Sequence, residues 1–157
     1  MITNFKSAFI LAVALLLSLG TLSAQTAQSA LPPGSPQLIT PEDLAKTLQA
    51  KKGAKPLIFN VGPYLLYVQA HIPGAEYLGA ASTPQGLASL RDRVKTLSPK
   101  TFIVLYCGCC PWNHCPNVAP AYAELQKLGF SNVKVLYIAN NIGIDWVDKS
   151  YPTEKDQ

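Results

Sequence analysis

Apolar residues along this chain fall into short solid runs, separated by polar segments in which hydrophobic positions recur at helical spacing. Phe102 to Tyr106 is β-branched, aromatic and aliphatic throughout, the pattern of a strand buried on both faces. Leu57-Ile58-Phe59-Asn60-Val61 and Val133 to Ile138 are two more apolar strands, and Gln37-Leu38-Ile39 and Tyr77-Leu78 suit shorter ones. Thr40-Pro41-Glu42-Asp43 reads as a helix start, with a Thr cap, Pro at the first helical position and an acidic residue three after the cap. Leu44 and Leu48 give that helix an apolar face, and Lys51-Lys52-Gly53 ends it. Tyr64 to Gln69 and Leu87 to Val94 predict two further helices. Asn117 is positioned to cap a fourth, carried by Val118, Tyr122, Leu125 and Leu128 to a stop at Gly129. Asn140 to Lys149, holding Trp146, predicts a short final helix. Strands alternating with helices, several strands apolar throughout, predict an α/β fold with a mostly parallel sheet covered on both faces.

Ligands of such sheets sit at the carboxyl ends of the strands. One end carries the turn after Val61, and the next carries an unusual loop. All four cysteines lie between residues 107 and 115, in Cys107-Gly108-Cys109-Cys110-Pro111-Trp112-Asn113-His114-Cys115. The arrangement brings Asn60, Gly62 and His71 within reach of Cys107. A thiol at a strand end, facing a helix N-terminus, meets free backbone N–H groups and a positive dipole end, and both favour the thiolate. Cys107 and Cys110 also have Cys-x-x-Cys spacing ahead of a helix, which suits reversible disulfide chemistry, with Cys115 as the alternative resolving thiol. Adjacent Cys109 and Cys110 could join only through a strained ring. A third reading is a soft or borderline metal ion, Cu(I) or Zn(II), on Cys107, Cys110, His114 and Cys115. A structural disulfide knot is the plain alternative. Trp112 either shields the thiols or anchors the loop by packing.

Charge narrows the partners. Lys and Arg exceed Asp and Glu by 13 to 9, a net +4, and no basic stripe with interleaved aromatics is present, so nucleic acid is not an expected partner. Residues 1–24 show the three-part pattern of a signal peptide: Lys6, an apolar stretch from Ser7 to Leu22, then small Ser23 and Ala24. Residues 25–36 are a small, polar, proline-rich linker, and 37–157 a single domain. The expectation is export to the periplasm or beyond the cell, with membrane contact only through an uncleaved signal segment. Free thiols in an oxidising compartment need recycling, so a thiol reductase there is an expected partner.

At this point the chain resembles the rhodanese-like (sulfurtransferase) family over roughly residues 37 to 154. Leu57 to Val61 is similar to the family's strand ending in Asp-Val-Arg, and Ala70-His71-Ile72-Pro73-Gly74-Ala75 to its Gly-His-Ile-Pro-Gly-Ala turn. Ile103 to Cys107 is similar to the strand delivering the catalytic cysteine. Leu128-Gly129-Phe130, Asn132-Val133, Trp146 and Tyr151-Pro152 follow in the family's order. The loop is similar to that of an exported single-domain subgroup rich in cysteine. The resemblance implies a three-layer fold with no cofactor, and a Cys107 that carries sulfane sulfur as a persulfide inside a cup of loop N–H donors. It also implies a small sulfur donor or thiol acceptor as partner; Cys109, Cys110 and Cys115 are read beside it as resolving or accessory thiols. Departures bear on the donor: Asn60 and Gly62 replace the aspartate and arginine, and no arginine follows Cys107 in the loop. His114 is the loop's candidate cation, and only below its ordinary pKa of ~6.5. Poor use of thiosulfate is therefore expected. His71 is read either as a structural hydrogen-bonding residue or as a catalyst.

Overall fold

Residues 35–156 are described in a computed structural model; the expected signal segment and most of the linker lie outside the described residues. The strands are β1 (Gln37–Ile39), β2 (Leu57–Asn60), β3 (Ala75–Tyr77), β4 (Ile103–Tyr106) and β5 (Val133–Leu136). All pair in parallel, in the order β1-β5-β4-β2-β3. β4 is central and fully buried because it has no polar side to show: Ile103 and Leu105 face one apolar layer, Val104 and Tyr106 the other. Helices α3 (Pro84–Val94) and α4 (Val118–Lys127) cover the first face through Leu90, Val94, Ala121 and Leu125. Helices α1 (Pro41–Gln49) and α2 (Tyr64–Gln69), with a π-helical turn at Gly143–Val147, cover the second through Leu44, Tyr67 and Trp146. The expected α/β three-layer architecture is the one observed, with a sheet that is wholly parallel.

Local chemistry sets the element ends. Thr40 caps α1, its hydroxyl oxygen accepting from the Asp43 N–H at 3.1 Å, with Pro41 in the first turn. α3 starts at Pro84, ahead of the expected Leu87, because Thr83 caps it by accepting from Gly86 N–H at 3.1 Å. β2 and β5 end before the expected Val61 and Ile138. Both residues remain buried at the sheet's carboxyl edge, where Val61 N–H still donates to the Tyr106 carbonyl at 2.9 Å. The final helix is shorter than expected, a single turn that buries Trp146 completely and lets its Nε1–H donate to Pro152 O at 2.8 Å. Among the described residues no helix is long and apolar enough to cross a membrane.

Candidate active site

β4 delivers Cys107 to the carboxyl edge of the sheet, between the ends of β2 and β5. The next residue turns the chain. Gly108 has φ +86°, a left-handed conformation that side chains rarely tolerate, and a Cβ there would stand 3.0 Å from Ile142 Cβ. Its carbonyl accepts from Ile142 N–H at 2.9 Å, which pins the loop to the segment after β5. The reversal folds Cys109 back onto Cys107, Sγ to Sγ 3.2 Å, with Cys110 Sγ 3.1 Å beyond. A 3-10 turn at Trp112–His114, anchored by Trp112 N–H on Ile138 O at 2.9 Å, then returns Cys115 to the site. The sulfurs of Cys107, Cys109 and Cys115 lie within 4.8 Å of one another, and all four cysteines are present as thiols.

Two residues outside the cysteine set shape Cys107. Gly62, at the end of β2, lies so close that a Cβ would stand 2.8 Å from Cys107 Sγ and nearer still to its carbonyl oxygen. Where the family's arginine was expected, this site therefore has room only for glycine. Asn117, 4% exposed, does not cap α4 as expected. Its backbone is already helical, and its side chain reaches across instead, Oδ1 accepting from Ser82 N–H at 2.9 Å and Nδ2 donating to Cys107 Sγ at 3.4 Å. The thiol beside the first turn of α4 is Cys115, which the backbone N–H groups of Asn117 and Val118 lower.

This places the charge differently from the expectation that the helix end would hold Cys107 as the thiolate. Cys115 is lowered to about 5, first by the Cys107 S–H donating to it and then by those two amides, against the cost of burial. Cys107 is pushed well up by the same bond and by its burial. Burial, with the neighbouring thiols, pushes Cys110 up to about 12, so it stays protonated at neutral pH.

A family model of the rhodanese-like domain matches residues 40–137, more than half of the chain. The chain belongs to the rhodanese-like domain family. That is a sulfurtransferase-type family, and solved structures show the same fold. The rhodanese-like domain of an Anabaena protein is 22% identical with a TM-score of 0.55, over 78% of this chain and 80% of that one. A Bacillus halodurans protein is 24% identical with a TM-score of 0.56, over 76% and 77%. A thiosulfate sulfurtransferase from Pseudomonas aeruginosa is 19% identical with a TM-score of 0.57, over 78% of this chain but 21% of that one. No curated protein matches the chain.

Within this rhodanese-like domain the remaining expected residues divide. Asn60 is 2% exposed, and its Oδ1 accepts from Gly62 N–H at 3.0 Å, so it holds the turn that presses Gly62 on Cys107. His71 is buried, stacked on Tyr67 with centroids 4.0 Å apart, Nδ1 2.9 Å from Tyr67 O. Its backbone exchanges hydrogen bonds with Glu154, so its partners are structural and lie outside the cysteine loop. Trp112 is half-buried and packs against the apolar layer that contains Cys107. His114 is exposed and is no part of the sulfur cluster. The metal-ligand set expected from spacing is thus corrected: the group able to hold a soft ion is Cys107, Cys109 and Cys115, without Cys110 or His114. Gly108 reverses the chain, so the second residue after Cys107 returns to it, where an uninterrupted helix would have returned the third.

Proposed function

We propose that this domain is a sulfurtransferase that carries sulfane sulfur as a persulfide on Cys107. The observation that carries the reading is Cys107 at the tip of the central strand, its sulfur within 4.8 Å of those of Cys109 and Cys115 and met by Asn117 Nδ2 at 3.4 Å. As Cys107 attacks a sulfane sulfur, Cys115 takes its proton, and α4's first amides hold Cys115 ready as the base. Asn117 Nδ2 stands on the attacking sulfur, where it can stabilise the anion of the persulfide formed. A structurally similar protein is a thiosulfate sulfurtransferase, but the missing loop arginine argues against thiosulfate as this domain's donor. The signal-like pattern of residues 1–24 supports export to the periplasm or beyond, where a thiol reductase would return the cysteines to thiols.

The test is intact-mass and peptide mapping after incubation with a sulfane-sulfur donor. Cys107 gains about 32 Da, and Cys107→Ser gains nothing there, because an alcohol near neutral pH supplies almost no nucleophilic anion. Persulfide mapped in the parent protein to another cysteine, with Cys107 never labelled, would remove Cys107 from this role.

A second reading is thiol–disulfide exchange through Cys107 and Cys115, favoured by the same low-lying Cys115 thiolate beside a thiol partner. Of the two resolving thiols expected, Cys110 on spacing and Cys115 on reach, Cys115 is the one in the sulfur group with Cys107. Under this second reading, Cys115→Ser traps mixed disulfides on Cys107 and no persulfide forms in the parent protein.

A further inference from the structure

Cys107 carries the site's chemistry but does not face solvent. It is 2% exposed and walled by Gly62, Asn117 and the neighbouring thiols. Cys109 is only partly buried, and it lines a cavity of about 330 Å³ that Cys107 does not line. The cavity runs between α2 and the π-helical turn. Its walls are Leu66, Ala70, Ile142 and Val147, with Gly108 and Gly143 at the backbone and two neutral amides, Gln69 and Asn141. No lining residue is charged. The volume suits a small molecule, and Cys109, the one cysteine among the lining residues, has its sulfur 3.2 Å from that of Cys107.

Resting on the persulfide reading above, we propose that this cavity binds an organic hydropersulfide, R–S–SH, whose R group is apolar and carries no charge, and that Cys109 is the port through which its sulfur reaches Cys107. A carboxylate-bearing or sulfonate-like donor would have to shed its hydration against Leu66 and Ile142 with no cation to compensate. An aliphatic or aromatic R group gains by burying itself there.

In the first step the Cys109 sulfur attacks the terminal sulfur of R–S–SH. A sulfur–sulfur bond forms to Cys109, the bond to R–S breaks with its electron pair, and the leaving thiolate takes the proton that Cys109 gives up. The products are R–SH and Cys109 persulfide. In the second step Cys107 attacks that terminal sulfur, the bond from it to Cys109 breaks with its electron pair, and the proton of Cys107 passes by way of Cys115 to the leaving Cys109 thiolate. The products are Cys107 persulfide and the Cys109 thiol. Sulfane sulfur is conserved through both exchanges, and no oxidant or reductant is consumed.

The experiment follows the rate at which the reduced protein gains persulfide on Cys107, using benzyl hydropersulfide as the apolar probe and glutathione persulfide and thiosulfate as charged ones. The parent is expected to load from benzyl hydropersulfide at least tenfold faster than from either charged donor. Cys109→Ser, which removes the port, and Val147→Asp, which charges the wall at an exposed position, should each lose at least tenfold of that rate. Val147→Asp guards against a fold defect in the cysteine loop, because Val147 is 39% exposed. Parental loading in either variant, or equal loading from charged and apolar donors, overturns the port and its ligand class while leaving Cys107 as the carrier. Absence of persulfide on Cys107 in the parent with all three donors overturns the persulfide reading itself, and the port with it.

Discussion

Replacing Asn117 by aspartate changes one group at the site and little else. Oδ1 can still accept from Ser82 N–H, a contact of 2.9 Å, so the crossing between α4 and the segment before α3 is kept. The group facing Cys107 changes from an N–H donor at 3.4 Å to a carboxylate oxygen. At that separation two unit charges repel by about 5 kcal/mol at an effective dielectric of ~20, and a third of this is enough for more than a tenfold effect. Both the attacking thiolate and the persulfide anion on Cys107 would feel it. Single-turnover loading of Cys107 at pH 8 should therefore fall at least tenfold in Asn117→Asp, with far-UV circular dichroism unchanged. The defect should shrink as pH falls, because a protonated carboxyl donates an O–H where the amide donated an N–H. Asn117→Ala separates the two roles: it strands Ser82 N–H and should cost about 1–3 kcal/mol of stability. Loading by Asn117→Asp within a factor of about two of the parent, with no pH dependence of the ratio, would refute a part for this side chain in holding charge on Cys107.

Three further outcomes are expected. Gly62→Ala places a methyl 2.8 Å from Cys107 Sγ and against its carbonyl, so denaturant unfolding should show a loss of about 1–3 kcal/mol and Cys107 should load more slowly; parental stability would contradict the packing described. Because Cys115 is depressed from 9.0 to about 5, the unfolded chain binds the extra proton between those values. The reduced protein should therefore gain thermal stability as pH rises from about 5 towards 9, and lose that gain as pH falls through 5. Above 9 the raised Cys107 reverses the slope, and Cys115→Ser should abolish the rise, as read by melting temperature in reducing buffer. Thiosulfate:cyanide sulfurtransfer should be poor, since the loop has no guanidinium for bidentate oxyanion binding and His114 stands exposed outside the sulfur cluster; steady-state turnover typical of a dedicated thiosulfate enzyme would contradict this.

The parallel sheet was legible because its central strands have no polar face. Ile103, Val104, Leu105 and Tyr106 are all buried, and an unbroken apolar run of that length fits few positions besides the middle of a covered sheet. Thr40 and Pro41 announced α1 because cap and first-turn proline act within a few residues of the helix they start. Local signals failed where a side chain had a better distant partner. Asn117 has the identity and place of a helix cap, yet Ser82, far away in the chain, and Cys107 take its side chain. Nothing in the neighbouring residues marks that exchange, apart from a cysteine two positions earlier, beside the same first turn.

The same distinction explains what spacing missed in the cysteine loop. A Cys-x-x-Cys interval predicts contact between its ends only if a helix follows the first cysteine, and here the helix waits until Val118. Gly108 spends the intervening space on a left-handed turn, so contact falls on Cys109, and Cys115 returns from the far side of the 3-10 turn. The losses and gains against the family pattern are then one change. Glycine at position 62 lets the Cys107 sulfur pack down against the end of β2, where an arginine side chain could not have stood. A sulfur seated that low cannot be met directly from solvent and has no cation to hold an anionic donor; in the proposed chemistry, proton handling therefore falls to Cys115 and access to Cys109. Restoring an arginine to the loop alone would therefore not restore thiosulfate chemistry, because the sulfur it would serve is buried beneath the thiols that replaced it.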